Sequence, residues 1–128
     1  MATLNDLKNT QVHAIGIAPP TASYTTTQTG TGRDFSAGDG QCHALLIVGT
    51  VTGTTPTLDV KIQECATVGG TYTDISGATF TQVTATGTVP VGLDFLRTLP
   101  FLRVVGTIAG TTPTFPFSVC LFESKKTF

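Results

Sequence analysis

The sequence predicts an all-β fold, a single-domain β-sandwich or jelly roll of about seven to nine short antiparallel strands with an N-terminal arm. Three observations predict it. First, Leu58-Asp59-Val60-Lys61-Ile62-Gln63 alternates apolar and polar residues. A period of two puts Leu58, Val60 and Ile62 on one face of a strand and the charges on the other. Second, turn residues recur at short intervals and no segment sustains a helical period. Third, Thr makes up about a fifth of the chain, and β-branched side chains suit a pleated surface while losing rotamer freedom in helices.

The stretch from Cys42 to Cys65 reads as an apolar strand (Ala44–Val48), a polar turn (Thr52–Pro56) and the alternating strand. Its motif VGTVTGTTPTL, at 48–58, returns as VGTIAGTTPTF at 105–115. Two near-copies predict two related β-hairpins. One runs from about Gln41 to Glu64, and the other joins Phe101–Ala109 to Thr114–Phe122.

The remaining elements follow in order. Met1–Thr10 has mixed polarity, with Leu4 and Leu7 spaced for one helical turn, and reads as an arm, a frayed turn or a disordered terminus. Gln11–Ala18 is a strand, stopped by Pro19-Pro20. Thr21–Thr29, Thr-rich with Tyr24, suits an edge strand or an arm. Gly30, Gly32, Gly38 and Gly40 punctuate a loop region around a short strand at Arg33-Asp34-Phe35. Gly69-Gly70 marks a turn, Tyr72–Ile75 a strand, Ser76-Gly77 a turn, and Ala78–Thr84 a strand. Thr88–Phe95 is a strand interrupted by Pro90 and Gly92, and Leu96–Pro100 a corner. The domain boundaries expected are an arm at 1–31, the sandwich at 32–122 and a polar tail at 123–128. The arm has an alternative: it completes the domain's own sheet. The predicted core is Leu45, Ile47, Leu58, Val60, Ile62, Phe80, Leu102, Val104, Phe115, Phe117 and Val119. Parity is ambiguous in Leu45-Leu46-Ile47-Val48, which is apolar on both faces, as befits a central strand or one that also meets a partner.

Charged residues are 12% of the chain and the net charge is −1, against about 25% charged in an ordinary domain. Nucleic-acid binding, which needs a basic face, is not expected. The sparse charge fits either a hydrated Thr-rich surface or a surface that meets other subunits. The longest apolar run, Ala44–Val48, is too short to span a bilayer, and Met1–Thr10 has no apolar run of a secretory signal. Synthesis in a cytoplasm with free thiols is therefore expected.

Chemistry-bearing residues are scattered. Cys42, His43 and Cys65 lack the tight ligand pairs of a structural zinc site. A Cys42–Cys65 disulfide and buried free thiols are the other two readings, and the thiols fit the odd cysteine count. Adjacent Cys42 and His43 point to opposite faces of a strand, so they do not form a nucleophile–base pair. No serine sits in a nucleophile elbow, and Asp34 and Asp39 lack an EF-hand spacing. No enzymatic activity, cofactor or metal is expected. A carbohydrate module would need aromatic platforms, and with no Trp in the chain these would be Tyr24 and Tyr72.

The segments TLDVKIQE (57–64), GTYTDISGATF (70–80) and FLRVVGTIAGTTPTFPFSV (101–119) resemble small structural proteins of tailed bacteriophages. More narrowly, the chain is similar, over about residues 40–122, to head decoration (cement) proteins with a jelly-roll fold. The resemblance implies a non-enzymatic protein on the outer surface of the virion. It would bridge neighbouring major capsid proteins in many copies, stiffen the shell against DNA pressure, and form dimers or trimers. Contacts are expected from the arm (Leu4, Leu7, Val12, Ile15, Ile17, Tyr24), from the loop (Arg33, Asp34, Phe35) and from the tail (Lys125, Lys126, Phe128). The alternatives are a head–tail connector or tail accessory protein, and a virion-surface carbohydrate-binding module. No nucleic-acid or membrane partner is expected.

Overall fold

The computed structural model describes residues 11–20, 22–86 and 90–125. They form nine strands: β1 (Gln11–Ile17), β2 (Gln28–Thr29), β3 (Arg33–Asp34), β4 (Gly38–Val48), β5 (Thr52–Cys65), β6 (Thr73–Thr79), β7 (Val91–Leu96), β8 (Phe101–Thr114) and β9 (Phe117–Lys125). One antiparallel sheet has the order β1-β9-β4-β7. The other has the order β2-β8-β5-β6, with β3 also pairing to β8. The protein is an all-β sandwich, as the sequence predicts.

The two expected hairpins do not form. β4 pairs with β7 and β9, and β5 pairs with β6 and β8. The two motif copies pair with each other instead. Residues 38–65 and 101–125 make one long antiparallel ribbon that folds from one sheet into the other at 49–51 and 115–116. Gly49 N donates to Pro116 O (2.7 Å) at the fold. The Gly-Thr-Thr-Pro segments, which read as hairpin turns, are bulges. The pair Thr54↔Thr111 lies on a local pseudo-two-fold axis that exchanges Thr52↔Thr114 with Ala109↔Thr57. Both copies use the same backbone: φ is +115° at Gly53 and +121° at Gly110, +46° at Thr55 and +48° at Thr112. A Cβ at Gly53 would lie 2.8 Å from Thr112 O, and one at Gly110 2.8 Å from Thr55 O. Pro56 and Pro113 sit in these bulges, where a missing N–H is tolerated.

Other boundaries also differ from expectation. Residues 11–17 and 28–29 complete the chain's own sheets, the second of the two alternatives for the described part of 1–31. The Thr-rich segment contributes an isolated bridge between Tyr24 and Phe115, and then β2. Ser76-Gly77 is no turn but lies inside β6, with Gly77 at φ +80°. The chain after Phe122 is not a tail as far as Lys125, because β9 continues through it.

The core lies between the sheets. Leu58, Val60 and Ile62 of β5, Leu102 and Val104 of β8, and Phe80 face Phe117, Val119 and Leu121 of β9. Phe115 and Phe35 fill the ends. Each such side chain contributes about 1.5–3 kcal/mol relative to exposure. On β4 the parity is the reverse of the core predicted. Cys42, Ala44 and Leu46 point inward, Ile47 is exposed and Leu45 half-buried. The reason lies in the register: Leu46 pairs with Val119, and Ala44 with Leu121, both inward residues of β9.

A polar cluster closes one end. Glu123, fully buried on β9, accepts from Arg97 Nε at 2.9 and 3.0 Å and from the N–H of Gly40. Arg97 Nη2 donates to Phe35 O (2.7 Å) and Gly38 O (3.2 Å). A side chain at Gly38 would collide with the Glu123 carboxyl. This pair ties the 35–40 and 97–99 segments to the central strand, and no buried side-chain polar atom among the described residues lacks a partner.

Candidate functional site

The two outer faces of the sandwich differ. Register across β1, β9, β4 and β7 sets which side chains share a row. Ile15, Cys120, Leu45 and Gly92 form one row, and His13, Phe122, His43 and Asp94 the next. Ile47 lies beside Ser118, and Leu96 opposite Gln41. All these residues face away from the core, because their neighbours along each strand face into it. Leu96 is 65% exposed, Ile15 49%, Ile47 42% and Phe122 36%. Leu45 and Cys120 are half-buried between them. The outer face of the four-stranded sheet therefore carries a set of exposed or half-buried apolar side chains, Ile15, Leu45, Ile47, Cys120, Phe122 and Leu96, interspersed with His13, Gln41, His43, Asp94 and Ser118. His43 and Asp94, hydrogen-bonded at 2.6 Å, form a polar border near its β7 edge.

The outer face of the other sheet is polar and cross-linked. Lys61 Nζ lies 3.0 Å from the Asp74 carboxylate, and Gln63 Nε2 donates to the same carboxylate at 2.7 Å. Those two bonds, Gln63 first, hold Asp74 below the usual carboxylate range. Arg103 Nε donates to Gln63 Oε1 (2.8 Å), and its guanidinium stacks 4.3 Å from the centroid of Tyr72. Gln82 Nε2 donates to both oxygens of Asp59. This is an ordinary hydrated β-surface, richer in charged and amide side chains than the mixed face behind it.

The structure distributes the sequence-predicted contacts unevenly. Ile15 joins the outer face of the four-stranded sheet. Val12 is half-buried at the β1 edge. Ile17 and Phe35 are corrections: both are buried in the core and present no contact surface. Tyr24 is half-buried. Its hydroxyl donates to Ala18 O (2.7 Å) and its ring meets Phe117 edge-on at 5.4 Å. Arg33 and Asp34 are exposed on β3. Asp34 Oδ1 accepts from Ser36 N, and bonds from Ser36 hold that carboxyl below its usual value. Lys125 ends β9, half-buried. Leu4, Leu7, Lys126 and Phe128 lie outside the described residues. Leu45, Ile47, Leu96, Cys120 and Phe122 were missed as surface residues. The available signal was the doubly apolar run at Leu45–Val48.

The three cysteines are free. Cys42 is buried, and desolvation, with Glu123 nearby, pushes its thiol up to about 12. No group of three or more His, Cys, Asp or Glu among the described residues could hold a metal ion. The chain matches no protein-family model and no curated protein.

Proposed function

We propose that the protein is a non-enzymatic structural component of a virion, a decoration (cement) protein of a tailed-bacteriophage head. It lays the outer face of its four-stranded sheet, with Ile15, Leu45, Ile47, Phe122 and Leu96, against the major capsid protein and leaves the more polar face to solvent. One observation carries this reading: the contrast between the two outer faces. Ile15, Leu45, Ile47, Phe122 and Leu96 give the face of the four-stranded sheet more apolar side chains than the opposite face carries, and such a surface suits burial against a partner. The sequence resemblance supplies the identity of the partner. The carbohydrate reading loses its platforms, because Arg103 covers a face of Tyr72 and Tyr24 is packed against Phe117.

The test is the copy number of the chain in purified virions, relative to the major capsid protein, by quantitative mass spectrometry. Hundreds of copies are expected of a shell component. About six to a dozen would move the protein to a neck or tail ring, and absence from virions would end the reading.

A further inference from the structure

A cleft of about 270 Å³ opens between the edges of the two sheets, walled by residues 15–18 on one side and by residues 28–33 on the other. It is a mouth of the sandwich: β1 ends one sheet here, and β2 and β3 flank β8 in the other. Gly16 and Gly30 meet at its floor, where a Cβ on Gly30 would collide with Gly16 O.

Register decides which side chains enter the cleft. Directly opposed residues of an antiparallel pair share a face. Gln28 opposes Gly106, where a Cβ would meet the core ring of Phe117, and Arg33 opposes Leu102, which is fully buried. Both therefore take inward positions. Elsewhere on this sheet such positions hold Leu58, Val60, Ile62, Leu102 and Val104. An amide and a guanidinium at the mouth break that pattern.

Both polar groups also keep bonding capacity. Lys61, Arg97 and Arg103 are engaged by Asp74, Glu123 and Gln63. Arg33 makes no hydrogen bond, ion pair or ring contact with the described residues. Gln28 Nε2 donates to Thr26 O at 2.9 Å, which holds the amide and leaves Oε1 with no donor among the described residues. Ile15 and Ala18, both exposed, supply apolar surface on the facing wall.

We infer that this mouth binds the free C-terminal end of a peptide with an apolar last residue. The Arg33 fork takes the terminal carboxylate through two parallel N–H···O bonds. Gln28 Oε1 accepts from a peptide N–H further back, and the last side chain lies against Ile15 and Ala18. The spacing suits this ligand. Gln28 and Arg33 oppose residues four apart on β8, roughly 13 Å of strand, which two or three extended residues bridge with a hydrogen bond at each end. The charge suits it too. A phosphate group carries about 1.5–2 negative charges, and Arg33 is the one cation lining the cleft, so a single carboxylate is the matched anion. The inference is independent of the capsid reading, since it concerns the purified protein alone.

An amide-resolved NMR titration of the full chain with acetyl-Ala-Leu tests it. The amides of Gly16, Thr29, Gly30 and Thr31 should shift saturably, with Kd about 0.1–1 mM. The same peptide with an amidated C-terminus should bind at least about tenfold more weakly, and so should the acid to Arg33→Gln. Arg33 is exposed, so that variant should keep the wild-type spectrum away from the cleft. Lys61→Gln, on the outer face of the same sheet, should bind as wild type does. Absence of saturable shifts up to about 10 mM overturns the inference. So does equal binding of the amidated peptide, undiminished binding by Arg33→Gln, or inorganic phosphate binding as tightly as the peptide.

Discussion

Arg97 Nε donates to both carboxylate oxygens of Glu123, at 2.9 and 3.0 Å, across 26 residues of sequence and almost wholly out of solvent. A buried ion pair is weak evidence of net stability, since desolvating two charges offsets their attraction. Removing one partner is a different matter. Arg97→Ala leaves a carboxylate buried without its cation and frees the carbonyls of Phe35 and Gly38. The expected loss is about 3–5 kcal/mol, read by urea unfolding. The double variant Arg97→Met/Glu123→Leu should recover part of it. A single-variant loss below about 1 kcal/mol would show that this cluster does not close the end of the sandwich.

The pseudo-two-fold ribbon predicts matched responses. Gly53→Ala and Gly110→Ala each force a side chain into positive φ against the other copy's backbone. Each should cost about 1–3 kcal/mol, with the two values close to one another. Thr55→Asn and Thr112→Asn act in the opposite direction, because Asn tolerates left-handed backbone better than a β-branched residue. A gain of about 0.5–1 kcal/mol in each is expected. Thermal and urea unfolding of the four variants checks both signs.

Glu64 governs part of the acid response. Burial raises its pKa, but bonds from Thr98 N and Oγ and from Leu99 N outweigh that and leave it below its ordinary value of 4.5. A folded-state pKa below the unfolded one contributes stability that is present above the unfolded value. That contribution is lost as pH falls through the folded value. Stability measured by urea unfolding should therefore decline below about pH 4.5. Glu64→Gln should be less stable at pH 7 and show a shallower decline. An unchanged slope in the variant would remove Glu64 from the account.

The thiols should separate by reactivity. Cys42 is buried with its pKa raised to about 12, so little thiolate forms at pH 8. Cys120 is half-buried on the outer face beside Leu45 and Ile15. Ellman's reagent on native protein should modify Cys120 first, and Cys42 only on unfolding. Peptide mapping of the singly labelled product identifies the site.

On the outer face of the four-stranded sheet, Ile47→Glu and Phe122→Glu should leave unfolding free energy within about 0.5 kcal/mol of wild type, since both side chains already reach solvent. Under the proposed function each should abolish binding to heads lacking the protein, while Asp59→Lys on the polar face should not. Co-sedimentation with such heads reads the difference. Retained binding by both face variants would displace the contact to another surface.

The strands were legible where polar residues interrupt apolar ones. Asp59 and Lys61 between Leu58, Val60 and Ile62 leave one parity open, and the structure has it. Leu45-Leu46-Ile47-Val48 offers no such contrast, and its inward residues are set by pairing with Leu121 and Val119, seventy and more positions away. The repeated motif was visible but its partner was not. Gly-Thr-Thr-Pro satisfies the chemistry of a hairpin turn as well as that of a bulge, and local sequence carries no term for a strand that arrives from elsewhere. Glu123 reads as the start of a polar tail because nothing nearby announces Arg97. The apolar set on that outer face is likewise a property of registers: Ile15, Cys120 and Leu45 become neighbours only when three strands align.

The long ribbon also sets when the chain can acquire its structure. Its two limbs, 38–65 and 101–125, are separated by a segment that contributes mainly flanking strands. Loop closure costs entropy before any central pair rewards it, and topologies dominated by distant pairs fold in about milliseconds to seconds. During synthesis the first limb emerges with no partner until β8 and β9 have followed. Folding of the ribbon is therefore completed only after β9 has left the ribosome. In that interval Ala44–Val48, apolar on both sides, is the segment most exposed to mispairing with another nascent copy.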